Sequence, residues 1–325
     1  MAVQPFSEEQ ARALINLEQR YQVWMGAERD LAALPYDLRR KEVAGKSYLY
    51  EIADRSGNGK SLGPWSTELQ RKFEAYRATK ASVKQRRDQS RERLDESGRL
   101  GRALRLPMLA NAAGSILREA DRRELLGSHF LLVGTNAMIA YAVEAGGFIR
   151  EAPDETDDFD LAWTATENEH SERILWDMLK AVDETFTVNL ERTFQARNAK
   201  AYEVEILTAP SRASTMAKTD RPRPVPLMEQ EWLLLGRPVD RVVLCRDGAS
   251  ARIVAPDPRW FALQKLWLGK QAKRHPLKRP KDLKQGAALL NAVKETMPQY
   301  PLDATFEASI PTALAPLYKE WKRQT

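Results

Sequence analysis

The sequence predicts a mixed α/β (α+β) protein in which a mixed sheet is flanked by helices and both ends of the chain are helical. Three observations lead there. Short apolar or alternating runs of strand length recur through the middle of the chain, helically spaced segments separate them, and the two ends carry long helical patterns with a hairpin signal near the first. With 325 residues, 43% hydrophobic and 30% charged, the chain has a globular composition and length for one large domain or two to three modest ones.

Leu14, Leu17, Tyr21, Trp24 and Met25 fall at helical spacing from about Ser7 to Ala33, and Pro35 ends the pattern. Ser47 to Ile52 is β-like and is followed by the turn signal Ser56-Gly57-Asn58-Gly59, so a β-hairpin is expected. That stretch lacks the spacing of a phosphate-binding loop. Ser66 to about Ser97 holds no Gly or Pro and is dense in Lys, Arg, Glu, Gln and Ala, the composition of a long exposed basic helix that Gly98 and Gly101 should interrupt. Next come a helix at 116–126, a buried strand at 130–133, a helix at 136–144, an alternating strand at 158–163, a helix at 174–182 and an alternating strand at 202–207. A Pro- and Arg-rich connector spans 209–226, a strand covers 239–244, and helices are expected at 258–270, 280–296 and 314–322. Three regions follow: 1–105 helical with the hairpin, 106–215 a mixed core, and 216–325 a strand and helices.

The formal charge of +6 is uneven. Arg71 to Arg105 holds twelve Lys/Arg against five Asp/Glu, and Gln264 to Lys284 eight against one, so each segment carries +7 and the remainder is acidic. A polyanionic partner suits such patches. The lone Cys245 excludes an internal disulfide and a Cys-rich zinc cluster, and it fits a reducing compartment. No secretory signal or bilayer-length apolar run is visible, so a cytoplasmic protein without a membrane role is expected. His129, His170 and His275 lack metal-ligand spacing.

In Asp158-Phe159-Asp160 a period of two puts both carboxylates on one face. Two such anions repel unless a cation sits between them, and hard oxygen ligands suit Mg²⁺ (or Mn²⁺), which completes its shell with water and phosphates. The alternative is a solvated acidic strand end after Asp154, Glu155 and Asp157. Phe130 to Ala137 reads as strand, Gly134-Thr135 turn and helix, a geometry that lets backbone amides approach a phosphate; a simple helix cap is the other reading. Glu203 and Glu205 share a strand face downstream. Glu205, flanked by Val204 and Ile206, is the candidate third ligand or general base, with Glu203 a solvated edge residue.

These elements in this order resemble the nucleotidyltransferase superfamily that includes DNA polymerase β. The fuller likeness is to a bacterial nucleotidyltransferase family, carried by Leu132-Val133-Gly134-Thr135-Asn136-Ala137 and Thr156-Asp157-Asp158-Phe159-Asp160-Leu161, and upstream by Gly45 to Tyr50 and Ser61-Leu62-Gly63. Downstream, Pro258 to Leu266, then Arg274 and Lys281-Asp282, look like that family's Lys, Arg and Lys-Asp pattern, which is also similar to AbiEii-type toxin nucleotidyltransferases. The resemblance runs from about Lys41 to Leu290. It departs in two places: the gap from Gly134-Thr135 to Asp158 is long, and Glu stands where a third Asp is usual.

The resemblance implies a nucleotidyltransferase-fold core at 106–215 and transfer of an NMP from an NTP to a hydroxyl acceptor. Asp158, Asp160 and Glu205 would be the catalytic and metal-holding residues, Gly134 and Thr135 would grip the β and γ phosphates, and Lys265 or Arg274 would meet the leaving pyrophosphate. Lys273, Lys278, Arg279 and Lys284 are expected to be merely solvated. An RNA acceptor, with tRNA the leading case, is expected on the basic segment Arg71 to Arg105, with Tyr48 and Tyr50 available to stack on bases. Two other functions stay open: a non-catalytic nucleic-acid-binding protein, and an AMP transferase acting on protein. Which NTP is used, and whether an antitoxin partner exists, is not written in the sequence.

Overall fold

The computed structural model describes residues 1–152, 159–167 and 173–324. The chain divides into two compact units, Met1–Glu18 with Ser97–Thr325, and Gln19–Glu96, with the divisions falling inside helices α1 (Glu8–Ala33) and α2 (Thr67–Ala103).

In the unit Gln19–Glu96, α1 and α2 run antiparallel. Arg20 donates to the Arg93 carbonyl (2.9 Å), the Arg91 guanidinium lies over Trp24, Arg86 pairs with Asp30, and the Tyr76 hydroxyl donates to the Pro35 carbonyl (3.0 Å). The less exposed positions of α2, namely Leu69, Phe73, Tyr76, Lys80, Val83, Arg87, Ser90 and Leu94, alternate in steps of four and three. That 3.5-residue period is the seam of a two-helix pair, and it leaves most of the basic side chains outside. Between the helices lies an antiparallel meander of β2 (Asp37–Val43), β3 (Lys46–Ile52) and β4 (Gly59–Pro64). The expected hairpin is therefore three-stranded. Strand β2 escapes a hydrophobic-pattern reading because Arg39, Arg40, Lys41 and Glu42 fill it, and the two-residue turn Ala44-Gly45 has positive φ at both positions (49° and 76°), as a type I′ hairpin requires. Leu38 and Leu49 bury against Tyr76.

The other unit carries β1 (Val3–Pro5), β5 (Met108–Leu109), α3 (Asn111–Arg122), β6 (Phe130–Val133), α4 (Met138–Glu144), β7 (Gly147–Ile149), β8 (Phe159–Trp163) and α5 (Ile174–Val182). It continues with β9 (Thr187–Val188), β10 (Gln195–Arg197), β11 (Glu203–Thr208), β12 (Val225–Pro226), β13 (Val239–Cys245), β14 (Ser250–Ala255), α6 (Pro258–Lys270), α7 (Lys278–Thr296), α8 (Ala304–Ser309) and α9 (Ala315–Gln324). The main sheet is mixed, in the order β6-β8-β11-β10-β9 with β12 alongside β11, and helices flank it as the sequence predicts. Smaller sheets pair β14-β13-β5 and β1-β7. One continuous core runs from Phe130, Phe159 and Trp163 through Phe261 to Tyr318 and Trp321. No helix among the described residues is long and apolar enough to cross a membrane.

Helix α2 does not break at Gly98 and Gly101. A Cβ on Gly98 would run into the backbone of Gly248, whose carbonyl carbon would be 2.9 Å away, and one on Gly101 would press on Leu244 and Leu106. These glycines are contact points where another segment passes close to the helix.

Candidate active site

Strand β8 lies between β6 and β11 in the main sheet, and the register brings Val133 opposite Asp160 across the antiparallel pair and Glu205 opposite Asp160 across the parallel pair. Register partners share a face, so the Asp160 and Glu205 carboxylates project on one side from strands ~4.8 Å apart. On the other side Phe159, Leu161 and Trp163 are fully buried, which is why the period-two pattern anchors the strand. Asp158, Asp157 and Thr156 lie outside the described residues.

After β6 the chain turns sharply at Gly134, where φ is +69° and an added Cβ would collide with the Asp160 carboxylate. Thr135 opens a 3-10 turn, Thr135–Ala137, that leads into α4, and its hydroxyl accepts a hydrogen bond from the buried Gln285 amide (3.3 Å). Glu205 accepts from the Gln195 amide on β10, its antiparallel partner. Glu203 instead pairs with Arg197 at the edge of the same face.

The cations come from the helical hairpin α6–α7. Asp257 caps α6 by accepting from the Arg259 amide (2.9 Å), and Pro258 takes the first helical position. Eight residues into the helix, Lys265 is only 4% exposed, and its ammonium lies 3.0 Å from Asp282 of α7, itself 2% exposed. Arg274 meets the other oxygen of Asp282 at 2.7 Å. Arg274 lies in the connection between α6, which ends at Lys270, and α7, and the Asp282 carboxylate unites the two cations. Burial pushes the Lys265 ammonium below its ordinary value of 10.5, against the opposing pull of Asp282, and the Asp160 charge also reaches it. The exposed Lys270 pairs with Glu320, and Lys284 is exposed on α7. The Gly134 turn thus touches Asp160, Gln285 of α7 reaches the same turn through Thr135, and Lys265, held by Asp282, lies within reach of the Asp160 charge.

A family model for nucleotidyltransferases matches residues 111–310, more than half of the chain and all of this site. The chain belongs to the nucleotidyltransferase family. No curated protein and no solved structure matches it.

As a nucleotidyltransferase it would take an NTP and a divalent metal. Among the described residues no group of three or more His, Cys, Asp and Glu stands together to hold an ion. Asp160 and Glu205, the described donors that share a face, have the hard oxygens Mg²⁺ and Mn²⁺ prefer, and the space left by the missing Gly134 side chain accommodates the Asp160 carboxylate. The donor type fits such a cation. Gln285 and Gln195, which bond to Thr135 and Glu205, were not singled out from the sequence. The first could have been found three residues after Asp282 on the same helical face, whereas the second depends on strand pairing. Cys245 is part of the buried core, and burial pushes its thiol up to about 11.

Proposed function

We propose that this nucleotidyltransferase moves an NMP from an NTP to a hydroxyl of an RNA acceptor, tRNA being the leading case, and releases pyrophosphate. One observation carries the reading: within a nucleotidyltransferase family match, the Asp160 carboxylate packs into the space at the Gly134 turn, and the buried ammonium of Lys265, held by Asp282, lies near enough for the Asp160 charge to act on it.

In this reading Gly134 and Thr135 lie against the β and γ phosphates, because a residue without a side chain lets a triphosphate reach the backbone. Gln285 fixes the Thr135 hydroxyl. Lys265 offsets the charge that grows on the departing pyrophosphate, and its buried position makes that charge act through a low dielectric. Asp282 holds Lys265 and Arg274 in place together, so neither has to be ordered by the substrate. Glu205, oriented by Gln195, takes the proton of the attacking hydroxyl. Asp158, Asp160 and Glu205 would hold Mg²⁺ or Mn²⁺, which when bound polarises the α-phosphate and lowers the acceptor's pKa.

The acceptor is assigned to RNA because α2 presents Arg71, Lys72, Arg77, Lys84, Arg86, Arg91 and Arg93 as exposed cations on the two flanks and the back of the helix, a density of positive charge suited to a phosphate backbone. The buried thiol and the lack of any cysteine partner suit the cytoplasm.

The test is incubation with each of four NTPs labelled on the α-phosphate, together with cell extract, followed by separation of RNA from protein. Label in RNA with the wild type and none with Asp160→Asn is the expected result. Label in protein would replace the RNA acceptor by a protein one, and equal incorporation by the variant would remove the reading altogether.

A further inference from the structure

One face of the meander β2-β3-β4 has the composition of a base-stacking platform. Side chains alternate across strands, and Leu38 and Leu49 fix which face is buried against Tyr76. The opposite face carries the rows set by the register: Arg39 beside Tyr50 beside Ser61, and Lys41 beside Tyr48 beside Pro64, with Lys46 opposite Val43 at the turn. Tyr48 and Tyr50 are partly exposed, and Arg39, Lys41 and Lys46 are exposed. The Lys41 ammonium stands 5.0 Å from the centre of the Tyr50 ring, which confirms that they share the face. Only the end of the face beyond this is closed, where Ile52 is fully buried.

The platform does not stand alone. A groove of about 750 Å³ is lined by Tyr36, Arg39, Tyr76, Arg77, Lys80 and Lys84, so Arg39 of the sheet and three cations of α2 line one depression. Asp37, paired with Arg39, is the acid on its wall. Lys80 is committed to the wall, since it donates to the Tyr76 hydroxyl (2.6 Å) and to the carbonyl of Tyr36. Arg77 and Lys84 are exposed and line the groove from the helix side.

We propose that this groove and the Tyr48/Tyr50 face bind an unpaired segment of RNA, its phosphates along Lys84, Arg77 and Arg39 and two bases stacked on Tyr50 and Tyr48. The inference rests on the RNA reading above and specifies which part of the RNA this unit grips. Two chemistries are needed together for a single strand, a cationic track and aromatic faces, and the β2-β3-β4 face and its groove supply both. A paired helix would use the track but not the tyrosines, since its bases are already stacked.

The experiment is fluorescence anisotropy of the full chain with two labelled RNAs, an unstructured strand of about 12 nucleotides, within the span such surfaces cover, and a blunt-ended duplex of two separate, fully paired strands. Tyr48→Ala/Tyr50→Ala should weaken the strand roughly tenfold or more and leave its salt dependence unchanged, because stacking releases no counterions. The same variant should bind the duplex as the wild type does, and Tyr50→Phe should keep full affinity for the strand. Wild-type strand affinity in the double variant, or an equal loss on both RNAs, would overturn the platform while leaving the RNA acceptor standing. Failure of the wild type to bind either RNA would overturn both.

Discussion

Gly134 and Asp160 share one space: the carboxylate of Asp160 occupies the position that a side chain on Gly134 would need, with the carboxylate carbon 3.0 Å from the ideal Cβ. The turn is also held at φ +69°, where an L side chain is strained. Gly134→Ala should therefore cost about 1–3 kcal/mol of stability and displace the carboxylate. A misplacement on the order of 1 Å can cost roughly a hundredfold in rate, so transfer should fall far more than the melting temperature suggests. Steady-state kinetics beside a thermal melt would separate the two effects, and a variant with near wild-type turnover would contradict this geometry.

Lys265 and Asp282 form a buried ion pair, and removal of one partner strands the other's charge. Asp282→Ala should cost about 3–5 kcal/mol, measurable by urea unfolding. Lys265→Met/Asp282→Leu should recover most of that loss while remaining inactive, since the cavity is filled but the cation is gone. The pH dependence has a definite sign. Burial lowers the folded-state pKa of Lys265 below its ordinary 10.5, so between those two values the unfolded chain binds more protons and stability from this group rises with pH. Lys265→Met should remove that alkaline gain relative to wild type, and unfolding curves collected across the alkaline range would show it.

The triphosphate assignment separates three cations that composition alone treats alike. Lys265→Ala and Arg274→Ala should each lower kcat/KM for the NTP by roughly tenfold or more, whereas Lys284→Ala, exposed on α7, should match the wild type. Equal losses in all three would point to a diffuse basic surface.

Docking on α2 predicts a salt signature. Reversal of Lys84, Arg86 and Arg87 to Glu should weaken RNA binding and flatten its dependence on salt while NTP binding is unchanged. Arg86 and Arg87 are paired with Asp30 and Asp88, so a melt must accompany the titration. The exposed Arg86 pair is worth ~0–1 kcal/mol, whereas Arg87 is half-buried in the helix seam, and the melt separates a loss of RNA contact from a loss of folding.

Two helical glycines should respond in opposite directions. Gly26 lies inside α1 with nothing within 4 Å of an added Cβ, so Gly26→Ala should stabilise by about 0.8–1 kcal/mol through helix propensity. Gly98→Ala meets the Gly248 backbone and should destabilise, with no flexible side chain able to yield. Equilibrium unfolding of both variants decides it.

The sequence by itself determined most of the elements that build the site. Alternation along Phe159 to Trp163 and helical spacing from Pro258 to Lys270 are local signals, because each is read within one strand or helix whose buried face repeats at the period of its own backbone. The cluster Val133-Gly134-Thr135 and the residues Lys265, Arg274 and Asp282 were likewise legible as candidates. What only the tertiary structure decided is who meets whom. Asp282 joining Lys265 to Arg274, Gln285 on Thr135, and Glu205 aligned with Asp160 are contacts between elements whose residues stand 8 to 150 positions apart. The same cause explains the elements the pattern did not show. Charged β2 exists because its neighbour supplies the hydrogen bonds, and α2 passes through Gly98 and Gly101 because the segments packed there need the room. Periodicity reports what a residue does to its own element, while a contact depends on the other surface, which no local window of sequence contains.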